Sequence, residues 1–385
     1  SEILFDEAQK VLGVATCDMG RLKDGSEGPN FEQGIELRAK QTVFSEGCRG
    51  HLGKILMDKF NLNQDNSPQT YGIGIKELWE ISPEKSDPGS IVHTTGWPLK
   101  SDTYGGSFLY HLDNNQISIG FVIGLDYKNP YLSPYMEFQR FKHHPDIKKY
   151  LEGGRRINYG ARALNEGGVQ SLPKLTFPGG LLVGCEAGFL NVPKIKGTHL
   201  AMKSGILAAK SIFENIDNKD EIKEFTQSIK DSWLWSELYK VRNIRPSFKW
   251  GFWKALIYSA IDTFIFKGNT PWTINHHGTD HESLENKNKH KQIDYPKPDN
   301  VISFDRLTNV SFSGTNHEEN QPCHLTLKDQ MTPITINLDK YDNPETRYCP
   351  AGVYEIILND NKPQLQISAQ NCVHCKTCDI KDPTQ

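Results

Sequence analysis

Four cysteines near the C-terminal end have the spacing of metal-cluster ligands. Cys372, Cys375 and Cys378 follow the pattern C-x2-C-x2-C, and Cys349 stands upstream and is followed by a proline. Four thiolates are the number that a cubane iron–sulfur cluster needs, one for each iron. The short spacers let a tight loop surround one face of the cube, with backbone N–H groups directed at its sulfurs. These residues therefore predict a 4Fe-4S cluster.

Structural zinc is the competing interpretation, because four cysteine thiolates also make a tetrahedral zinc site. Zinc sites usually carry two separate C-x2-C pairs, whereas the ligands here divide three to one, as they do in ferredoxins. Two disulfides are disfavoured, because cysteines three positions apart bridge poorly and the first residues show no secretory pattern.

Composition limits the remaining possibilities. The 385 residues are enough for two or three domains, and the net charge of −3 gives no indication of a nucleic-acid surface. The other cysteines are scattered and fit free thiols in a reducing compartment: Cys17, Cys48, Cys185 and Cys323. No run of about eighteen uncharged apolar residues is present, so no membrane-spanning helix is predicted.

The first 70 residues read as short strands and turns. A strand is predicted over 35–44, then a glycine-containing turn and a helix over 51–60, with Leu52, Ile55, Leu56 and Phe60 on one face. This layout can place a phosphate at a helix N-terminus. By itself it more often reflects packing.

Residues 71–165 are rich in aromatic side chains, with strands predicted over 107–112 and 117–123. Gly105 and Gly106 stand between Tyr104 and Phe108, so exposed backbone groups would lie beside flat apolar rings. That combination suits a quinoid ligand, although the spacing alone favours an ordinary turn entering a strand.

Residues 166–216 return to a strand, loop and helix. Residues 178–188 predict a buried parallel-type strand that ends in a glycine-flanked loop, and a helix is predicted to begin with Thr198 as its N-cap. The helix N-terminus could stabilise a negatively charged ligand. A tightly packed strand–helix unit without a ligand is the alternative.

Residues 217–245 read as an amphipathic helix, and the segment from Pro246 to Trp272 is crowded with aromatic and aliphatic residues. Lysines stand toward its ends and Asp262 lies inside it. It is too short to span a membrane comfortably, and its composition is typical of a segment in the membrane interface. A buried core helix is the alternative. In the polar stretch that follows, His317, Cys323 and His324 are expected to have ordinary surface roles.

Long motifs then identify a family. RYCPAGVYE and NCVHCKTCDIKDP resemble the C-terminal part of electron-transfer flavoprotein–ubiquinone oxidoreductases. The resemblance continues upstream through ELRAKQTVFSEGCRGHL, TYGGSFLYHL, PKLTFPGGLLVGC and NVPKIKGTHLAMKSGILAA, and it covers essentially the whole chain in the same order.

The resemblance implies a fold of mixed α/β and α+β class. Parts of a glutathione-reductase-like FAD-binding domain are expected at 1–70 and 166–245, with a ubiquinone-binding β-sheet domain inserted at 71–165. A membrane-surface segment is expected at 246–272 and a ferredoxin-like 4Fe-4S domain at 273–385.

The resemblance also assigns residues by position. The cluster ligands would be Cys349, Cys372, Cys375 and Cys378, and the ubiquinone head group would meet the backbone of Gly105 and Gly106. The FAD contacts would be Glu46, Gly47, Gly184, Gly188, Gly197 and Thr198. No side chain is expected to act as a catalytic nucleophile, because the cofactors carry the chemistry.

The implied activity is electron transfer from reduced electron-transfer flavoprotein, through the cluster and FAD, to ubiquinone. The enzyme would be a monotopic protein on the matrix side of the mitochondrial inner membrane. The G-x-G-x-x-G turn expected of an FAD protein is not found in these 385 residues. We therefore expect either a fragment or a chain whose FAD site is completed by a separate N-terminal chain. A docking subunit with iron–sulfur or zinc, and a related flavoprotein reductase, are the alternatives.

Overall fold

The fold is described from a computed structural model that covers residues 1–217 and 220–384. These residues form two compact units. Unit 1 contains residues 1–70, 164–278 and 320–322, and unit 2 contains residues 71–163, 279–319 and 323–384.

The first segment of unit 1 is built from short strands, as predicted. Its elements are β1 (Glu2–Phe5), β2 (Val11–Ala15), β3 (Met19–Arg21), β4 (Glu27–Glu32), β5 (Glu36–Arg38), β6 (Thr42–Phe44) and α1 (His51–Lys59). The single strand predicted over 35–44 is wrong, because the chain turns at 39–41 and β5 pairs with β2 in one sheet while β6 joins another. The predicted helix is confirmed as α1, but Ile55 on it is 49% exposed.

Unit 2 is built on a five-stranded sheet. Its elements are β7 (Tyr71–Glu80), β8 (Ile91–Thr95), β9 (Gly105–Leu112), β10 (Gln116–Gly124), α2 (Pro134–Lys142), α3 (Pro145–Leu151) and β11 (Arg155–Asn165). The strand order is β11-β7-β10-β9-β8, and β10 pairs antiparallel with both β7 and β9. The strands predicted over 107–112 and 117–123 are confirmed as β9 and β10.

A buried ion pair lies beneath this sheet. Lys142 on α2 donates to both carboxyl oxygens of Glu77 on β7, at 2.9 and 2.8 Å, and both side chains are fully buried. Burial lowers the pKa of Lys142 to about 8, and the neighbouring Glu77 carboxylate opposes that shift. The ammonium also faces the rings of Trp79, Phe138 and Phe304.

The chain then returns to unit 1. The elements are β12 (Thr176–Phe177), β13 (Gly180–Leu182), α4 (Gly184–Ala187), α5 (Thr198–Asn215), α6 (Glu224–Lys230), α7 (Trp233–Lys240), α8 (Ile244–Ser247) and α9 (Phe252–Ala260), followed by a π-helical turn (Ile261–Ile265). The parallel strand is confirmed, since β13 pairs with β6 in parallel.

The helix predicted to begin at Thr198 is confirmed as α5, but the predicted cap is wrong. Thr198 is the first helical residue of α5 and not its N-cap; Gly197 occupies the cap position, and no side chain caps the helix. The helix predicted over 217–245 is instead three short helices, α6 to α8, with breaks at 231–232 and 241–243. Residues 218 and 219 of that prediction lie outside the described residues.

The last part of unit 2 has little regular structure. Its elements are α10 (Arg306–Val310), a π-helical turn (Pro333–Leu338), α11 (Asp339–Tyr341), α12 (Glu345–Tyr348), β14 (Tyr354–Asn359), β15 (Lys362–Ile367) and α13 (Cys378–Lys381). Strands β14 and β15 form a hairpin whose turn residues, Asp360 and Asn361, have φ of 49° and 58°. Asp and Asn tolerate this left-handed backbone better than most residues.

Candidate metal centre and cofactor sites

The structure brings the four predicted cluster cysteines around one small cavity of unit 2. Cys349 directly follows α12, while Cys372, Cys375 and Cys378 lie on the loop that leads into α13. Between those three, His374 and Lys376 have left-handed backbones, with φ of 53° and 68°. Two left-handed residues bend the chain sharply, and the loop surrounds the cavity because of that bend.

Hydrogen-bond donors are directed at the cysteine sulfurs. The backbone N–H of His374 donates to Cys372 Sγ at 3.4 Å, and the Thr377 hydroxyl lies 3.2 Å from Cys375 Sγ. The Tyr354 hydroxyl interacts with Cys378, and the backbone amides of 351 and 353 donate to Cys349. Donors of this kind stabilise sulfurs that carry negative charge.

Without a cation, burial keeps the four cysteines of the cavity in their neutral thiol form. Burial raises the pKa of all four thiols, and it raises that of Cys372 to about 11. Each thiolate that forms also increases the free energy needed to deprotonate the next thiol. Metal binding needs the deprotonated form, so a positively charged metal group must supply the compensation. The four thiols, their donors and the apolar lining therefore fit a metal cluster.

The arrangement favours a cluster over a single zinc ion. Among the described residues, the group of side chains close enough together to hold one ion consists of three histidines and does not include the four cysteines. A single zinc would need all four sulfurs at about 2.3 Å from one point. A cube with a separate iron for each cysteine has no such requirement.

Two cationic side chains fix the backbone around the cavity. Arg306 donates to the carbonyl oxygen of Cys349 at 3.0 Å. The ammonium of Lys381, at the end of α13, donates to the carbonyls of Tyr127 and Asp280 and to the Ser283 hydroxyl, at 2.7 to 2.9 Å. Since α13 begins with Cys378, these bonds hold the last cysteine in place.

Hydrogen bonds to cysteine sulfur should set the reduction potential of a bound cluster. We expect Tyr354→Phe and Thr377→Ala each to lower the midpoint potential, because a donor stabilises the more negative, reduced state. If the hydrogen bond stabilises the reduced cluster by about 1 kcal/mol more than the oxidised cluster, its loss shifts the midpoint potential by about 40 mV for one electron. Redox titration followed by EPR measures the shift. Unchanged potentials in both variants would contradict this role, and Tyr341→Phe, on α11, is the control.

Glu345 on α12 should make the stability of unit 2 depend on pH. Its side chain is buried, and within the described part of the chain neither carboxyl oxygen has a hydrogen-bond partner. Burial raises the pKa of Glu345 to about 7 from an ordinary 4.5, so the folded state holds more protons between these values. About 3 kcal/mol of stability, present below pH 4.5, is therefore lost as pH rises through 7.

The measurement is the thermal midpoint of the cluster-loaded chain between pH 5 and 8. We expect the midpoint of the wild type to fall with rising pH by more than that of Glu345→Gln. Parallel pH profiles for the two proteins would show that this carboxyl does not contribute.

The predicted FAD residues meet at one edge of a sheet in unit 1. Because β6 and β13 are parallel, with Phe44 opposite Leu182, the loops after them lie side by side. Glu46 and Gly47 follow β6, and Gly184 follows β13. Gly184 donates to Ser204 on α5 at 3.0 Å, which brings the first turns of this helix to the same edge.

Three glycines of these loops have positive φ angles, which favour glycine over other residues. Gly47, Gly184 and Gly188 have φ of 97°, 61° and 93°. At Gly197 a Cβ would meet Leu190 and the Phe189 carbonyl at ordinary contact distances, which places the start of α5 near the loop after Gly188. These observations fit a flavin edge and also fit a close-packed strand–helix unit.

The predicted ubiquinone residues begin β9. A Cβ on Gly105 would lie 2.4 Å from a Leu99 methyl, and one on Gly106 would lie 2.5 Å from the Thr94 carbonyl. Close strand packing is therefore sufficient to require both glycines. A cavity of about 270 Å³ lies in the same unit, and Gly105 and Gly106 are not part of its lining, which includes Trp97, Met136 and Arg140.

The aromatic segment of unit 1 carries its apolar side chains on the outside. Trp253, Ile257 and Phe264 are 72%, 65% and 80% exposed, whereas Ala255 and Asp262 on the opposite face are buried. The alternative of a buried core helix is therefore wrong. No helix in residues 1–217 and 220–384 is long and apolar enough to cross a membrane.

Arg242 holds this segment in its orientation. Its buried guanidinium donates to the carbonyls of Tyr239, Gly268, Thr270 and Trp272, at 2.6 to 3.1 Å. Burial raises the pKa of Asp262, which accepts a bond from Thr270 beside this arginine. Polar groups thus satisfy the inner face, and the apolar side chains point outward.

Two parts of these sites were not predicted. Tyr354 reaches Cys378 only because the β14–β15 hairpin returns the chain to the cavity. His317, His324 and His374 lie together although they come from three separate segments, and ordinary surface roles were expected for the first two. Sequence separation gives no signal for either contact.

Comparison with known proteins agrees with this geometry. The family model for the ubiquinone-binding domain of these oxidoreductases matches residues 71–164, and the 4Fe-4S model of electron transfer flavoprotein-ubiquinone oxidoreductase matches residues 300–385. The mitochondrial electron transfer flavoprotein-ubiquinone oxidoreductase of Sus scrofa is 58% identical over the whole of this chain. The chain is a homologue of part of the electron transfer flavoprotein-ubiquinone oxidoreductases.

Other oxidoreductases of the same name also match along the whole chain. The Homo sapiens protein of the same name is 57% identical and the Caenorhabditis elegans protein is 55% identical. The chain spans 65% of the length of the pig and human proteins and 66% of that of the nematode protein.

Among solved structures, a geranylgeranyl bacteriochlorophyll reductase-like protein from Thermoplasma acidophilum aligns with a TM-score of 0.47 and 15% identity. The alignment covers 69% of the present chain and 68% of the Thermoplasma protein. A likeness at this level supports no functional argument.

Proposed function

We propose that this chain is part of an enzyme that oxidises reduced electron-transfer flavoprotein and reduces ubiquinone. The observation that carries the proposal is the set of four buried or half-buried cysteines around one cavity, each with a donor directed at its sulfur. The identity to named oxidoreductases along the whole chain supports it.

The proposed ligands of the 4Fe-4S cluster are Cys349, Cys372, Cys375 and Cys378. When bound, the cluster and FAD supply one- and two-electron chemistry that side chains cannot perform. The chain's own contribution is to exclude water from the cavity, to donate hydrogen bonds to the sulfurs and to fix the ligand backbone through Arg306 and Lys381.

We assign ubiquinone to the domain at 71–165, with Gly105 and Gly106 at the head group, because the matching family model bears that ligand's name. FAD is assigned to a glutathione-reductase-like domain formed by 1–70 and 166–245. Glu46, Gly47, Gly184, Gly188, Gly197 and Thr198 would lie along it at the β6–β13 edge. The cluster domain at 273–385 is proposed to be ferredoxin-like.

We also propose that residues 246–272 attach the protein to a membrane surface, on the matrix side of the mitochondrial inner membrane. Exposed Trp, Ile and Phe side chains form one stripe of α9 and its π-helical turn, and the segment also carries Lys249, Lys254 and Lys267. Aromatic and aliphatic residues with basic neighbours are typical of helices that lie in the interface. The names of the relatives support the mitochondrial assignment.

Anaerobic EPR after dithionite reduction tests the cluster assignment. We expect a fast-relaxing rhombic signal near one spin per chain. In Cys375→Ala the signal and the bound iron should be lost, because three ligands remain for four irons. Cys323→Ala, a cysteine outside the cavity, should retain both. Stoichiometric zinc without iron in the wild type would overturn the assignment and support a docking subunit.

Electron transfer is tested by mixing the cluster-loaded, FAD-supplemented chain with reduced electron-transfer flavoprotein and a short-chain ubiquinone. We expect anaerobic reduction of the cluster in the wild type and none in Cys375→Ala. Quinol formation should require FAD content, which is measured separately. A loaded chain that is not reduced by the flavoprotein would contradict the proposed donor.

A further inference from the structure

We propose that His317, His324 and His374 form a second metal site, distinct from the cysteine cavity, that binds one Zn²⁺ ion. One ligand nitrogen from each ring lies within 4.8 Å of the others. The ring centroids are 4.8 to 5.1 Å apart in all three pairs. This inference stands independently of the proposed electron-transfer function.

The geometry needs little adjustment to bind an ion. Zinc binds imidazole nitrogen at about 2.0–2.1 Å, which places tetrahedral ligand atoms about 3.4 Å apart. The nitrogens must therefore approach by about 1.4 Å at most. His324 and His374 are exposed, so rotation of their side chains meets little resistance. Larger rearrangement of the backbone is not required.

The three rings come from segments that the fold brings together for no evident packing reason. His317 and His324 lie on the irregular stretch between α10 and the π-helical turn at 333–338, and His374 lies on the cysteine loop. None of the three side chains belongs to the buried core of unit 2. A shared ligand explains the convergence of three imidazoles, which have matching lone pairs and little apolar surface to bury.

His317 also has the outer contact that metal-binding histidines usually have. Its Nε2 lies 2.8 Å from the carbonyl oxygen of Cys372. A ring that donates one N–H to a backbone carbonyl has its tautomer fixed, so the other nitrogen offers its lone pair. His317 would then bind the ion through Nδ1, and its orientation would be set by the cysteine loop.

The donor set indicates the class of metal. Three neutral imidazoles suit borderline divalent ions such as Zn²⁺, and three protein ligands leave a fourth position open to water. Cys323 precedes His324, but its thiol is directed at the Leu325 carbonyl, 3.2 Å away. We therefore assign the fourth position to water.

The test is a Zn²⁺ titration of the cluster-loaded chain against a chromophoric chelator, with iron measured before and after. We expect one tightly bound zinc per chain with no loss of iron. His324→Ala should weaken zinc binding at least about tenfold, because one of three ligands is removed. His277→Ala, which removes an exposed histidine of unit 1, should leave the affinity unchanged.

A second measurement is independent of the variants. The zinc X-ray absorption fine structure of the wild type should show nitrogen or oxygen neighbours at about 2.0–2.1 Å and no sulfur at about 2.3 Å. Zinc–sulfur scattering, or iron released in proportion to zinc bound, would place the ion in the cysteine cavity and overturn the proposal. Equal affinities in the wild type and a His317→Ala/His324→Ala variant would also overturn it.

Discussion

Replacing Trp253, Ile257 and Phe264 by glutamate should abolish attachment of the chain to phospholipid vesicles. These three side chains are among the most exposed large apolar groups of unit 1. Burying such a side chain fully in an apolar phase contributes about 1.5–3 kcal/mol, so losing three should reduce the partition coefficient at least about a hundredfold. The added charges oppose insertion further.

The fold supplies a matched control for this experiment. Met202, Ile206 and Phe213 on α5 are 65%, 62% and 86% exposed, so they present a comparable apolar surface on another helix of the same unit. Their replacement by glutamate should leave vesicle binding unchanged. Flotation with vesicles through a sucrose gradient measures the bound fraction. If the α9 variant floats like the wild type, residues 246–272 are not the attachment surface.

Lys142→Met should cost about 3–5 kcal/mol of folding stability, because it leaves the buried Glu77 carboxylate without its cation. Three neutral donors to Glu77 remain: Trp79 Nε1, Asn309 Nδ2 and Gln139 Nε2, at 2.8, 2.9 and 3.3 Å. Neutral donors cannot replace the ion pair in a site without water. Urea unfolding, monitored for unit 2 by tryptophan fluorescence, gives the shift in midpoint.

Two variants show whether the charge is responsible. Glu77→Gln/Lys142→Met removes both charges and should lose less stability than Lys142→Met alone. Lys148→Met breaks the exposed pair of Lys148 with Glu152 and should cost no more than about 0.5 kcal/mol. If the single and double variants unfold at the same midpoint, lost packing of the lysine stem explains the effect.

The sequence predicted best where local spacing determines the structure. The spacing of the cysteines, the helix at 51–60 and the strands β9 and β10 depend on residues close in the chain. The predictions failed where contacts between residues distant in the chain determine the structure. Residues 35–44 alternate like one strand, yet their two halves join different sheets, and Thr198 does not cap α5 because Gly197 takes that position.

For residues 246–272 the sequence predicted an apolar segment but not that its apolar side chains would be exposed. Its composition indicates an apolar environment but does not say whether protein or lipid supplies it. Arg242 and Asp262 satisfy the inner face with polar bonds, so the apolar side chains point outward, and a lipid surface as their environment stays a proposal. The cofactor assignments at Gly105, Gly106 and the β6–β13 edge stay predictions, because packing alone also requires glycine there.

The anchoring of Lys381 bears on when the metal centre can be assembled. Its ammonium bonds the carbonyl of Tyr127, 254 positions earlier in the chain, and α13 carries Cys378 at its other end. The last ligand therefore reaches its place only when α13 has docked against segments of unit 2 that stand far earlier in the chain. A cluster can accordingly be inserted only after those segments have folded, and the delivery machinery must recognise a folded unit 2 whose cysteine loop is still open.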